Sequence, residues 1–118
     1  MSQPVPKVSE ADVERIVRRD FPEPEVPAVL AALAAYGTKA WHNEVPRVRL
    51  AILKLAAGRG DALARAVALA DVDYRDVLAA AEYPAYFRTI SPVEPDTVKR
   101  KLAIDADWQE YRAWFEKR

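Results

Sequence analysis

The stretch Val45–Ala57 (Val-Pro-Arg-Val-Arg-Leu-Ala-Ile-Leu-Lys-Leu-Ala-Ala) limits the fold more than any other part of the chain. Wound as a helix, Val45, Val48, Ala51, Ile52, Leu55 and Ala56 form one broad apolar arc. Leu50, Leu53 and Ala57 form a second, with Arg47 and Lys54 at the seam. A helix that is apolar over most of its circumference must be covered from more than one side. The expectation is an all-α protein: an irregular orthogonal bundle of six or seven short helices around a central apolar helix near residues 45–57, joined by short, Pro-rich connections.

Composition supports a folded chain and narrows its partners. With 51% hydrophobic and 31% charged residues, 118 residues can bury a core without staples. Lys plus Arg and Asp plus Glu balance at 18 each, so no global field steers the chain to nucleic acid or an anionic membrane. Cysteine is absent, which excludes disulfides and thiol chemistry. No secretory signal is read at the N-terminus, and the charge-free stretch Val26–Thr38 is too short to span a bilayer. The expected setting is the cytoplasm, with no membrane contact.

Residues 1–8 are expected to be a flexible tail and residues 9–118 a single helical domain. Ser9 suits an N-cap, with Asp12 as the reciprocal acid and Val8 stapling onto Val13. Pro27 and Gly37 bracket a second, alanine-rich helix, expected to be buried on nearly every side or, as the lesser option, to contact another chain. Asn43 is the expected cap of the central helix, and Gly58–Gly60 its end. Asp61 opens a fourth helix, which Asp71-Val72-Asp73 breaks. A fifth repeats the opening grammar of the first, with Val72 as staple, Asp73 as cap, Asp76 as reciprocal acid and Val77 as the stapled partner. Pro84 ends it, and an irregular stretch is expected as far as Pro95. A sixth helix from about Asp96 presents Val98 and Leu102, Asp105 or Asp107 re-caps the chain, and a last helix gathers Trp108, Tyr111 and Phe115 on one face.

Few residues carry candidate chemistry. His42 is the sole histidine and sits in Trp-His-Asn-Glu. An imidazole beside a carboxylate can act as acid or base, but neighbours along a helix do not face each other, so His42 and Glu44 make no evident dyad. Asp71, Asp73 and Asp76 lack the glycine and closing glutamate of a calcium loop and read as caps, so no metal or cofactor is expected. Arg49 falls between the two apolar arcs and must snorkel or pair with an acid. Asp76 or Glu82 is the expected partner in a structural ion pair. The sharper alternative is a ligand pocket built from His42, Arg49, Tyr74 and Tyr86. Arg47, Arg49, Lys54, Arg59 and Arg65 cluster around the central helix. The helix that follows offers only Arg65 as a reader of base edges, which weakens a nucleic-acid role.

The leading expectation is therefore a small, cytoplasmic, non-catalytic protein-interaction domain. It would bind a protein partner, a second copy in a homodimer among the candidates, through its alanine-rich or aromatic surface. A ligand-binding or catalytic domain centred on His42 and Arg49 comes second. A nucleic-acid-binding regulator using the basic side of the central helix comes third.

Overall fold

A computed structural model describes residues 4–89 and 97–118. The chain is all-α, and its described residues form six helices: α1 (Glu10–Asp20), α2 (Val26–Ala34), α3 (Val45–Ala56), α4 (Gly60–Glu82), α5 (Pro84–Thr89) and α6 (Thr97–Glu116). A 3-10 turn, Glu23–Glu25, leads into α2. No strand occurs among the described residues. Likewise, none of their helices is long and apolar enough to cross a membrane.

α3 lies at the centre. Val48, Leu50, Ala51, Ile52, Leu53 and Ala56 are all fully buried, so both apolar arcs are covered except at Ala57, which is exposed and lies just past the helix end. The cover comes from Val13, Ile16 and Val17 of α1, Val29 and Leu33 of α2, and Leu63, Ala66, Ala70, Val77 and Leu78 of α4. α1 starts as its sequence implies: the Asp12 carboxylate accepts the Ser9 backbone N–H at 2.9 Å, fixing the first turn. α3 departs from expectation at its entry. Its cap position is Glu44 in the left-handed region (φ 53°), while the Asn43 carbonyl accepts the Tyr36 hydroxyl at 2.7 Å. At its exit, Ala57 (φ 50°) and Gly58 (φ 77°) turn the chain, and a Cβ on Gly58 would lie 3.0 Å from the Asp20 carbonyl. α4 in turn opens at Gly60, with Asp61 inside its first turn.

Other expectations change. α2 is buried on one side only: Val26, Val29 and Leu33 face the core, whereas Ala28, Ala31 and Ala34 face outward. Alanine there serves helix propensity rather than close packing. The expected break is present, inside α4, where Asp73 leaves the helical region (φ −154°, ψ 101°). Its side chain accepts the Arg75 N–H at 3.0 Å, as a cap should. The staple beside it does not form, because Val72 is 81% exposed while Val77 is fully buried. Finally, α6 is one continuous helix through Asp105 and Asp107. Asp107 instead accepts the backbone N–H groups of Ala85 (3.2 Å) and Tyr86 (2.9 Å), capping α5 inside the stretch expected to be irregular. The rest of that stretch, residues 90–96, lies outside the described residues.

Candidate functional site

The chain between α2 and α3 folds around one imidazole. The His42 side chain is fully enclosed. Its ring stacks on Tyr36 at 4.2 Å and meets the edge of Trp41 at 4.3 Å. Nδ1 accepts the backbone N–H of Gly37 at 2.7 Å and of Lys39 at 3.2 Å. With Nδ1 an acceptor, the ring proton belongs on Nε2, which donates to Asp71 Oδ1 on α4 at 3.2 Å. Asp71 also receives both 2.9 Å contacts from Lys39 Nζ. The Lys39 ammonium and, after it, the imidazole hold the Asp71 carboxyl below its ordinary range.

The Tyr36 hydroxyl closes the loop by donating to the Asn43 carbonyl and accepting the Asn43 N–H at 3.1 Å. Burial, above all, raises the Tyr36 phenol above its usual value. Gly37 suits the turn because its φ of 121° is one that residues with a Cβ rarely adopt.

This geometry decides what the sequence candidates can do. In a histidine acid–base centre, one ring nitrogen is oriented by a carboxylate and the other faces the reacting proton. Here the second nitrogen is filled by two backbone donors, so His42 holds a loop in place. Tyr74 joins the cluster, its ring 6.4 Å from that of Tyr36. Arg49 reaches the same turn from the other side, with Nε 3.1 Å from the carbonyls of Leu33 and Tyr36 and Nη2 2.8 Å from that of Tyr36. It neutralises the C-terminal end of α2, where carbonyls lack helical partners.

His42 and Tyr74 meet the Tyr36 ring and Arg49 its carbonyl, whereas the Tyr86 backbone N–H is held by Asp107 and its ring meets Phe87 at 5.8 Å.

The expected ion pair is also redrawn. Arg49 pairs with Glu10 of α1 at 3.0 Å, not with Asp76 or Glu82. Glu82 pairs instead with Arg47, through bonds of 2.8 Å and 2.6 Å. That contact lies deep, with the Glu82 side chain 2% exposed. Its hydrogen bonds are the main reason the Arg47 guanidinium is held above its usual value. Two residues along α3 separate these arginines, enough to send them to opposite sides of the helix.

Tyr111 packs near this pair with its hydroxyl buried and without a hydrogen-bond partner, and burial strongly raises its phenol. Lys54 faces Glu110 at 3.2 Å and Arg65 faces Asp61 at 3.6 Å. With Arg47 and Arg49 also paired, the basic side of the central helix is largely neutralised.

Three large apolar side chains stand exposed here, Trp41 on the histidine loop and Leu69 and Val72 on α4. Trp41 is 44% exposed, Leu69 41% and Val72 81%. One groove of about 380 Å³ runs between this loop and α4, lined by Ala35, Tyr36, Lys39, Ala64, Val67, Ala68 and Asp71. A second hollow, of about 320 Å³, is lined by Trp41, Asn43, Val72, Asp73, Tyr74 and Arg75. Sequence reasoning missed Tyr36, Lys39 and Asp71 as parts of this platform. The aromatic Trp-His pair was the one available signal.

No family model matches the chain, and neither the curated proteins nor the solved structures compared with it give a match.

Proposed function

We propose that this protein is a small, non-catalytic, cytoplasmic protein-interaction domain whose binding surface is the platform of Trp41, Leu69 and Val72. The exposure of Val72 beside Trp41 carries the reading. Large apolar side chains left in water on a braced surface favour association, and aromatic anchors dominate interface energies. The bracing comes from His42 and Tyr36 beneath and from the exposed Lys39–Asp71 bridge beside them, which hold Trp41 against α4. Preorganisation of this kind lowers the entropy cost of binding. Acid–base chemistry has less support, since both ring nitrogens of His42 are occupied. Nucleic-acid binding has less still, given the paired cations around α3.

A photo-cross-linking amino acid placed at position 72 of the full chain, in cells that produce it, tests the reading. A discrete adduct is expected, and Trp41→Ala should remove it; an adduct of twice the chain mass would name a second copy as the partner. The same probe at Ala80, exposed elsewhere on α4, should give none. Identical patterns from positions 72 and 80, or no adduct at 72, would overturn the assignment.

A further inference from the structure

Residues 4–8 (Pro-Val-Pro-Lys-Val) form neither helix nor strand, yet they do not trail free as the sequence suggests. Pro4, Pro6 and Val8 are half-buried, while Val5 and Lys7 are exposed. Alternation with a period of two marks an extended backbone with one side facing inward. The prolines pre-set that form by fixing φ, and it leaves carbonyls free for partners outside the segment. One is used: the Pro4 carbonyl accepts the Tyr83 hydroxyl.

The inward side lies over an aromatic ladder on α6. The Trp108 and Tyr111 rings are parallel at 6.4 Å, and the Tyr111 and Phe115 rings lie 6.3 Å apart at 12°. Arg112 and Glu116 border the groove. A hollow of about 140 Å³, half open to solvent, remains between Pro6–Val8 and the ladder.

We propose that the aromatic groove of α6 is a docking site for an extended Pro-x-Pro segment of a partner protein, with residues 4–8 as its tethered, displaceable occupant. The chemistry of the site is displayed by what already sits in it: prolines at alternate positions, an aliphatic residue two further on, and a basic residue near Glu116. Aromatic-lined grooves take such segments at low entropic cost, because proline has already restricted them. The open space gives a rival segment its advantage, since a side chain larger than Val8 would fill it. The tether sets the barrier, holding the strap at an effective concentration of roughly millimolar. This groove is separate from the Trp41–Val72 platform, and its fate does not depend on that reading.

The test uses the full chain and a fluorescent peptide copying residues 2–9, followed by anisotropy. Pro6→Asp puts a charge over the ladder and should unseat the strap. The variant should then bind the peptide about tenfold more tightly than the unaltered chain does, because the tethered competitor is gone. A peptide carrying Val8→Phe should bind more tightly still, and one carrying Pro4→Ala with Pro6→Ala more weakly. Phe115→Asp added to Pro6→Asp should abolish binding. Circular dichroism melts establish that each variant remains folded, and amide exchange at residues 108–115 reports groove occupancy independently. A folded Pro6→Asp variant that binds no better than the unaltered chain would overturn the proposal. So would equal binding of the peptide without prolines. A concentration-dependent dimer of the unaltered chain, lost on Pro6→Asp, would assign the groove to a second copy's strap and overturn the partner assignment.

Discussion

α3 and α6 are fastened in different proportions: α6 buries Ile104 and Tyr111 but relies more on polar clips. α3 has 12 residues and is enclosed, with Leu50, Ala51, Ile52 and Leu53 all at 0% exposure. Its hold is apolar burial, roughly 1.5–3 kcal/mol for each large side chain. α6 is longer, at 20 residues, yet Val98 and Leu102 on its first turns are 70% and 65% exposed. α1 ties down its far end with polar clips. Arg15 donates to the Phe115 carbonyl at 2.8 Å and lies 4.8 Å from that ring. Arg19 donates to the carbonyls of Trp114 and Lys117, where the helix end carries partial negative charge. Burial is cumulative and non-directional, whereas each clip depends on one geometry and nets about 0.5–3 kcal/mol. α6 should therefore open before α3 does, and the groove it carries inherits that mobility.

The first of the two largest expected effects tests the Arg47–Glu82 pair of α3, whose carboxylate is 2% exposed. Glu82→Ala leaves the mostly buried Arg47 guanidinium with only its longer 3.8 Å contact to Glu44, and should cost about 3 kcal/mol in denaturant unfolding. If the loss matches that of a surface clip, the contrast between the two helices fails. Ile52→Ala should cost about 2–5 kcal/mol, whereas Leu102→Ala on α6 should stay within about 0.5 kcal/mol. Comparable losses from both would mean that α6 is covered as α3 is. Arg19→Ala should cost about 1–2 kcal/mol, with the effect localised. Amide exchange should accelerate over residues 108–116 and stay unchanged over 48–53. Uniform acceleration would show the two helices opening as one unit.

The same division separates what was legible in the sequence from what was not. Apolar periodicity located α3 because burial follows from residue type and spacing alone: Val48, Ile52 and Leu53 are where the two arcs put them. Capping grammar located the start of α1 and the kink at Asp73, since both depend on residues within one turn. Polar partners across the fold left no such trace. Arg49 found Glu10, 39 positions away, and Glu82 went to Arg47, because small rotations about α3 decide which acid a guanidinium meets. Lys39 and Asp71 sit 32 positions apart with nothing local to join them. Alanine misled in α2 for a related reason: its helix propensity and its tolerance of close packing look identical in the letters.

The smallest expected effect concerns the histidine loop, which belongs with α6 in this contrast because a polar clip closes it. The Asp71 carboxyl is held below its unfolded value, first by Lys39 and then by His42. A group with a lowered folded pKa contributes stability that is present above the unfolded value, near pH 4, and is lost as pH falls through the folded one. Acidification from neutrality to about pH 3 should therefore release Lys39 and the imidazole, and loosen the turn they brace. Asp71→Asn should mimic part of this at neutral pH, and the gap between the two proteins should narrow as pH falls. Amides 37–42 would report the loosening, with amides 50–53 of α3 unmoved. A gap that stays constant between pH 7 and 3 would mean that Asp71 contributes no ionic hold. The loop would then rest on the stacking of Tyr36, His42 and Trp41, fastened in the manner of α3.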